Sequence, residues 1–174
     1  MKRPKTITNK QAESLKRKMD LRDRLLIALA IESGLRIGDL LNLKVGDVGT
    51  TMTIYEKKSK RERTFAISAD LNADLKKFVR YKRKASYLFH SARSASKPIH
   101  RSTVHRHIKK ALKGLKFDAS AHSTRKLYAY NKFAETQDII KVQEALNHKY
   151  VTTTLTYLDI DAKKINIMLQ GCNK

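Results

Sequence analysis

Only one cysteine, Cys172, occurs in the 174 residues. A lone thiol cannot build an internal disulfide framework, and it matches a reducing cytoplasm. Its place near the end of the chain reads as that of a bystander rather than a nucleophile. No segment approaches the roughly 20 apolar residues that a membrane-spanning helix needs. The polar start, residues 1–5, lacks the apolar stretch of a signal peptide. Acids are scarce: 16 Asp and Glu face 38 Lys and Arg, for a formal charge of +22. No carboxylate cluster of the kind that holds two catalytic metal ions stands out, so neither a metal nor another cofactor is expected. Internal repeats and low-complexity linkers are missing too. Only residues 91–96 (SARSAS) read as a flexible surface loop.

What is present is a foldable and very basic chain. The length fits one domain. A hydrophobic fraction of 41% supports a real core and excludes wholesale disorder. The excess of cations runs through the whole sequence and is not confined to a tail. A folded domain so charged implies a polyanionic partner, nucleic acid first and an anionic membrane surface second.

Apolar spacing predicts a mainly helical α+β chain. Thr8 or Asn9 caps a first helix with Ala12, Leu15 and Met19 on one stripe. Residues 21–33 are apolar nearly all round, so this helix belongs in the core, and Gly34 ends it. Arg36 stands at the entrance of a short helix carrying Ile37, Leu40, Leu41 and Leu43, where backbone N–H groups favour an anion. Three strands are expected, at residues 45–48, 52–56 and 63–68, the last two placing Met52 and Ile54, then Phe65 and Ile67, on one face. A very basic hairpin tip, Lys57-Lys58-Ser59-Lys60-Arg61, joins those two. An amphipathic helix with Leu71, Leu75, Phe78 and Val79 ends in the basic run 80–84. Tyr87-Leu88-Phe89 is a short apolar patch. Ser102 is expected to cap a helix that turns Val104, Ile108, Ala111, Leu112 and Leu115 inward, with His105, Arg106, Lys109 and Lys110 outward. Residues 117–120 lead into a helix from about His122 to Thr136, Asp138 opens another that ends at Leu146, and residues 161–169 form a last amphipathic helix.

Singly, the polar residues of interest admit plain readings. His122 and Arg125, three apart on one helix face, form a pair that is usually just solvated. Arg36 reads as a salt-bridge partner, the hairpin tip as a solvated turn, and Tyr157 as a packing residue. Their order along the chain says more. Arg36 follows an apolar helix and Gly-Leu; then come the basic hairpin, His122-x-x-Arg125, Leu146-x-His148 and Tyr157.

At these motifs the chain resembles the catalytic domain of the tyrosine recombinase (phage integrase) family. The matching stretches are Ser33-Gly34-Leu35-Arg36-Ile37-Gly38-Asp39-Leu40, the Lys58 hairpin with Arg61-Glu62-Arg63, His122-x-x-Arg125, and Leu146-Asn147-His148 with Thr152-Thr153-Thr154-x-x-Tyr157. They spread over roughly residues 8–170. The resemblance implies the DNA breaking-rejoining fold, a helical core with a small antiparallel three-stranded sheet. It implies a site-specific recombinase that cuts one DNA strand through a 3′-phosphotyrosine and rejoins it to another, without metal.

The residue types suit that chemistry. Arg36 and Arg125 offer permanently charged forks to the phosphate oxygens. A phenol with a pKa of about 10 must lose its proton as it attacks, so a base is needed near Tyr157. By resemblance His122 is that base and His148 donates to the scissile phosphate. Lys58 protonates the leaving 5′-oxygen, with Lys57 and Lys60 within two residues of it, and Asp39 orients the site. Lys57, Lys60, Arg61, His105, Arg106, Lys109, Lys110 and Lys126 are the candidate DNA contacts. The chain departs from the family where Thr124 replaces a common leucine and Lys126 follows Arg125.

The expected partner is double-stranded DNA carrying attachment or recombination sites. A homo-tetramer is expected only on DNA, through the segment with Ile165, Ile167, Met168 and Leu169, and accessory bending or directionality factors are admitted. The chain reads as a single catalytic domain spanning residues 1–174, with the family's N-terminal DNA-clamping domain expected to be absent, and as cytoplasmic and nucleoid-associated in a bacterium or phage host. Two alternatives stand beside this reading: a DNA-binding module without chemistry, and a type IB topoisomerase-like relaxing enzyme.

Overall fold

The computed structural model describes residues 6–158. The helix expected at 161–169, its proposed subunit-docking residues and Cys172 lie outside them. The chain divides into two compact units, Met1–Tyr128 and Ala129–Lys174.

In the first unit, α1 (Asn9–Arg17) opens on a capping box. Thr8 accepts from the Gln11 N–H while the Gln11 side chain accepts from the Thr8 N–H. Helix α2 (Leu21–Ser33) is capped by Asp20 and buries Leu25, Leu26, Ile27, Leu29 and Ala30, as its apolar run predicts. It packs against α1, against the short α3 (Ile37–Leu40) and against α4 (Ala69–Val79). One core joins these helices to α5 (Arg101–Ala111) through Val104 and Ile108, and to the start of α6 (Ala121–Thr136) through Leu127.

Strands β1 (Thr51–Glu56) and β2 (Arg61–Ala66) form an antiparallel hairpin in which Met52 faces Phe65, Ile54 faces Arg63 and Glu56 faces Arg61. The predicted inward alternation holds along β1 at Met52, Ile54 and Glu56. The expected third strand does not form. Residues Val45–Asp47 make a 3₁₀ turn, because the Asp47 carboxylate accepts from the Lys44 N–H at 2.7 Å and closes the chain on itself. Only Lys44 keeps an antiparallel bridge, to Tyr87. The sheet is therefore two-stranded, and a second two-stranded sheet takes its place in the count. Strands β3 (His90–Ser91) and β4 (Ser94–Pro98) turn the serine-rich loop into a bulged hairpin. Serine hydroxyls stitch its turn: Ser94 N–H donates to Ser91 Oγ at 3.1 Å. The cap of α5 is also one step off the expectation. His100, not Ser102, is the N-cap, its Nδ1 accepting from the Ser102 N–H.

The second unit holds the rest of α6, then α7 (Ile139–Ala145) and α8 (Val151–Tyr157). Asp138 caps α7 by accepting from the Ile140 and Lys141 N–H groups. The threonine run forms α8, an element that its β-branched residues do not announce. Thr156 Oγ1 donates back to the Thr152 carbonyl at 2.8 Å, which satisfies the hydroxyl inside the helix. Among the described residues, no helix is long and apolar enough to cross a membrane.

One backbone position governs the approach to Arg36. Gly34 ends α2 at φ +65°, and a Cβ built there would lie 2.2 Å from Tyr128 Cδ1 on α6. Gly38, on α3, has no atom within 4 Å of its own Cβ direction. Gly34→Ala is expected to lose roughly 1–3 kcal/mol through backbone strain and overpacking, and Gly38→Ala to be neutral or stabilising by up to about 1 kcal/mol. Thermal denaturation of the two variants checks this, and equal melting temperatures would remove the constraint.

Candidate active site

A cleft of about 860 Å³ in the first unit gathers seven of the residues singled out from sequence. Arg36, Asp39, Lys57, Lys58, His105, His122 and Arg125 line it, together with His100, Arg101 and Ser102. Four separate stretches supply these groups: the α2–α3 junction, the β1–β2 hairpin, the start of α5, and the start of α6.

Arg125 is almost wholly buried (3% exposed) and still reaches the cleft wall. Its Nη1 donates to the Gly34 carbonyl at 2.6 Å, so the end of α2 holds the guanidinium in place. Arg36 is the N-cap of α3, which has only four residues. Such a short helix adds little dipole, so the positive charge here belongs to the side chain and not to the helix end. Its Nη1 stands 4.0 Å from Asp39 Oδ2 and 4.0 Å from Glu56 Oε1. Asp39 (5% exposed) also accepts from the Lys57 N–H through Oδ1 at 3.3 Å. It thus joins Arg36 to the base of the hairpin tip, which fits the orienting role the resemblance implies. Burial raises the Asp39 pKa, and the neighbouring Glu56 adds to this. The Lys57 N–H, Arg36 and Arg125 pull it back down.

Glu56 escapes the residue-by-residue reading of the sequence. It is fully buried (0% exposed) at the end of β1, with Arg36 Nη1 at 4.0 Å, Arg63 Nη1 at 3.6 Å and the Ser59 hydroxyl donating to its Oε2 at 2.8 Å. Arg63 in turn donates to the Ser33 carbonyl at 3.0 Å. A signal for it was present: a carboxylate continues the inward alternation Met52, Ile54, Glu56. A charge at an inward strand position needs a partner, and the two arginines supply it.

The hairpin tip separates its lysines. Lys57 and Lys58 line the cleft, whereas Lys60, at φ +54°, and Arg61 are exposed outside its wall. Among the outward cations of α5, His105 lines the cleft, and Arg106, Lys109 and Lys110 are exposed beyond it. Lys126 is buried (3% exposed), within the opening turns of α6 where Ser123 to Leu127 are all buried.

His122 opens α6 with its backbone N–H on Ser120 Oγ at 3.3 Å. The side chain retains solvent access, yet the protein around it lowers its pKa by desolvation, and the positive charges of His105, Arg125, Arg36 and Arg101 act in the same direction. Each of these favours the neutral imidazole, the form that can accept a proton.

In the second unit, His148 and Tyr157 meet edge to face, with ring centroids 5.5 Å apart and planes at 82°. His148 Nδ1 lies 2.9 Å from the hydroxyl of buried Thr154, and its backbone N–H donates to the Gln143 carbonyl. Asn147, at φ +51°, turns the chain from α7 toward His148. Tyr157 is half-buried at the end of α8, and Tyr130 Oη donates to the carbonyl of the next residue, Leu158. The threonine run thus supplies both the helix that carries the tyrosine and the hydroxyl that orients the histidine.

Among the described residues one group could offer three ligand atoms to a metal, Asp20, Asp23 and His107. Its atoms are already engaged. Asp20 caps α2, Asp23 accepts from Arg22 Nε at 3.0 Å, and His107 Nδ1 bonds Asp23.

Two outcomes are expected from this geometry. Glu56→Ala leaves Arg36 and Arg63 facing each other in a largely buried space and should cost about 3 kcal/mol in denaturant unfolding. A loss below about 0.5 kcal/mol would show that the glutamate is not the counter-charge. In the DNA-free protein the His122 ring should titrate below the ordinary imidazole pKa of about 6.5 when followed by NMR. Because the unfolded chain binds this proton more readily, the effect disfavours folding as pH falls through about 6.5 and vanishes above it. Titration of the ring above that value would contradict the electrostatic picture of the cleft.

Comparison with known proteins agrees with the motif reading. The family model described as Phage integrase family matches residues 5–164. The probable integrase/recombinase YoeC of Bacillus subtilis is 33% identical over 144 residues, which cover 80% of this chain and 78% of that protein. In shape, the chain is similar to the crystal structure of XerA recombinase, with a TM-score of 0.78 at 22% identity over all of this chain and 67% of that one. It is also similar to the XerH site-specific recombinase bound to its difH substrate in a pre-cleavage complex, with a TM-score of 0.75 at 23% identity over 95% of this chain and 54% of that one. The chain thus spans between about half and four fifths of the length of these relatives. A model matched over nearly the whole sequence, and carried by the motifs that build the cleft, settles the family: this chain belongs to the phage integrase family, the tyrosine recombinases.

Proposed function

We propose that the chain is the catalytic domain of a site-specific DNA recombinase. The observation that carries the reading is the cleft in which Arg36, Arg125, Lys57, Lys58, His105 and His122 converge, in a member of this family. Its one lining carboxylate, Asp39, is buried beside Arg36 and bonded to the Lys57 N–H, so the cleft presents a net positive wall to a phosphodiester.

The reaction follows from what each group can do. The guanidiniums of Arg36 and Arg125 bind the non-bridging oxygens and stabilise the charge that gathers there in the transition state; losing a donor of this kind typically costs about 10²–10³ in rate. The Tyr157 oxygen attacks phosphorus and passes its proton to His122. The bond from phosphorus to the 5′-oxygen breaks, and Lys58 gives that oxygen a proton. A 3′-phosphotyrosine and a free 5′-hydroxyl result. Rejoining reverses the roles: a 5′-hydroxyl of the partner strand attacks phosphorus and releases the phenol. The Thr154 hydroxyl engages His148 Nδ1, and Nε2 is the nitrogen we assign to the phosphate. Lys57 is the neighbour that could share the acid role, whereas Lys60 stands outside the cleft wall.

The partner in this reading is duplex DNA bearing attachment or recombination sites, and four protomers act together on two duplexes. The exposed Lys60, Arg61, Arg106, Lys109 and Lys110 extend the basic surface beyond the cleft as backbone contacts. The setting is the cytoplasm of a bacterial host, at nucleoid-associated DNA.

A suicide substrate tests the chemistry, because a nick near the cut lets the 5′-fragment diffuse away and traps the covalent adduct. The wild-type protein should give a DNA-linked band on a denaturing gel, Tyr157→Phe should give none, and Arg36→Ala should lower its rate by about 100-fold or more. DNA binding without any adduct, over a panel of candidate sites, would leave a binding module in place of an enzyme.

A further inference from the structure

The basic run after α4 is not used by the reaction, and the structure places a second cavity beneath it. A pocket of about 480 Å³ is lined by Lys82, Arg83, Ser86, His90 and Ser96, with two alanines, and shares no residue with the catalytic cleft. Its wall contains cations, hydroxyls and small side chains and no carboxylate. Lys82 is half-buried, its ammonium 3.2 Å from the centroid of the Phe78 ring. Among the described residues no carboxylate forms an ion pair with it. Burial lowers its pKa, and the positive Arg22 nearby adds to this. Arg22 holds the β3 edge of the pocket by donating to the His90 carbonyl at 3.4 Å, and it is itself neutralised by Asp23. His90 anchors its ring by donating from Nδ1 to the Ser91 carbonyl at 2.9 Å. Immediately before Lys82 in the chain, Tyr81 is 89% exposed, with the Arg80 guanidinium 5.3 Å from its ring.

Such an arrangement is costly when empty. A partly desolvated ammonium beside a second cation, with no acid opposite, gains most from an anion. Two hydroxyls, an imidazole and Arg83 around it match the acceptor-only oxygens of a phosphate. An exposed tyrosine on a basic turn provides a flat face for a sugar or base alongside.

We propose that this pocket, lined by Lys82, Arg83 and His90, is a second phosphate-binding site that takes a backbone phosphate of DNA lying outside the catalytic cleft. The site needs no strand transfer: it anchors the polyanion whether or not Tyr157 reacts. Free phosphate compounds share the chemistry, and the experiment separates the two sources.

The test compares wild type with the Lys82→Gln/Arg83→Gln double variant, and with Lys82→Arg as the charge-keeping control. Melting temperatures within a few degrees of wild type identify folded proteins, and Lys82→Gln alone serves if the double variant unfolds. The equilibrium constant for a long duplex is measured against salt. Each phosphate contact contributes roughly 0.9 to the slope of log K against log salt. The double variant should lower that slope by about 1–2, Lys82→Arg should preserve it, and the yield of Tyr157 adduct at saturating DNA should be unchanged. In parallel, inorganic phosphate is titrated into DNA-free protein while the His90 ring is followed by NMR. An unchanged slope together with a phosphate response that the double variant loses would assign the pocket to small phosphate compounds and overturn the DNA source. An unchanged slope and no response would overturn the site altogether. A reduced slope in a protein that never forms the adduct would support this site while sinking the strand-transfer reading, so the two fail separately.

Discussion

The hydrogen bond from Arg125 to the carbonyl of Gly34 is the tie on which the cleft depends. It joins the end of the most buried helix to the start of α6, positions 91 residues apart in the chain. Both ends of the bond are special. Gly34 can offer its carbonyl there because it adopts the left-handed conformation, and because nothing larger fits against Tyr128. Arg125 can donate there because the planar guanidinium carries five N–H donors in a fixed fork, where a lysine would bring a single nitrogen. Arg36 then follows two residues after the glycine, so one turn of backbone fixes the positions of both cationic forks.

The acids nearby offset the mutual repulsion of those forks. Asp39, Arg36, Glu56 and Arg63 alternate in sign, with Arg36 4.0 Å from both acids and Arg63 3.6 Å from Glu56. An all-cation cleft would repel itself at neutral pH. Two buried carboxylates, Asp39 in the cleft wall and Glu56 outside its lining, cancel part of that repulsion. The same acids reach the hairpin tip, Asp39 through the Lys57 N–H and Glu56 through the Ser59 hydroxyl. The tip that carries Lys58 is therefore fastened at its base to the residues that position Arg36.

Much of this was legible in the sequence, and the exceptions have particular causes. The core helix Leu21–Ser33 showed in its unbroken apolar run, and its end showed in Gly34. The β1–β2 hairpin showed in its alternation. Residues 45–48 look like a strand by composition, but a single side-chain bond from Asp47 to the Lys44 N–H turns them into a 3₁₀ turn. Local hydrogen bonding of an aspartate outweighed β-propensity there. The serine loop misled for the opposite reason: its polarity suggested freedom, yet its hydroxyls supply the bonds of a turn. Helix α8 hid behind threonines, which favour strands unless neighbouring packing overrides them. For the site, the motifs named seven residues that line the cleft, Arg36, Asp39, Lys57, Lys58, His105, His122 and Arg125, and passed over His100 and Arg101. They also missed Glu56, because a buried counter-charge is defined by its three-dimensional neighbours and by no spacing along the chain.

The distribution of acids explains how so basic a chain can fold. Among the described residues the buried acids are Asp23, Asp39 and Glu56, each with an arginine beside it. They sit at junctions of elements: Asp23 of α2 meets His107 of α5, Asp39 of α3 meets the Lys57 N–H at the hairpin, and Glu56 of β1 meets Arg63 of β2. The buried acids fix geometry, while the surface, where most of the other described acids lie, still carries a large excess of cations. Most exposed lysines, by contrast, touch little and add little to folding, since exposed charge pairs contribute only about 0–1 kcal/mol. Folding and DNA affinity therefore draw on different charges. A chain built this way tolerates +22 because its attraction to a phosphate backbone and its internal cohesion rest on separate residues, except at Arg36 and Arg125, where a single guanidinium must serve both.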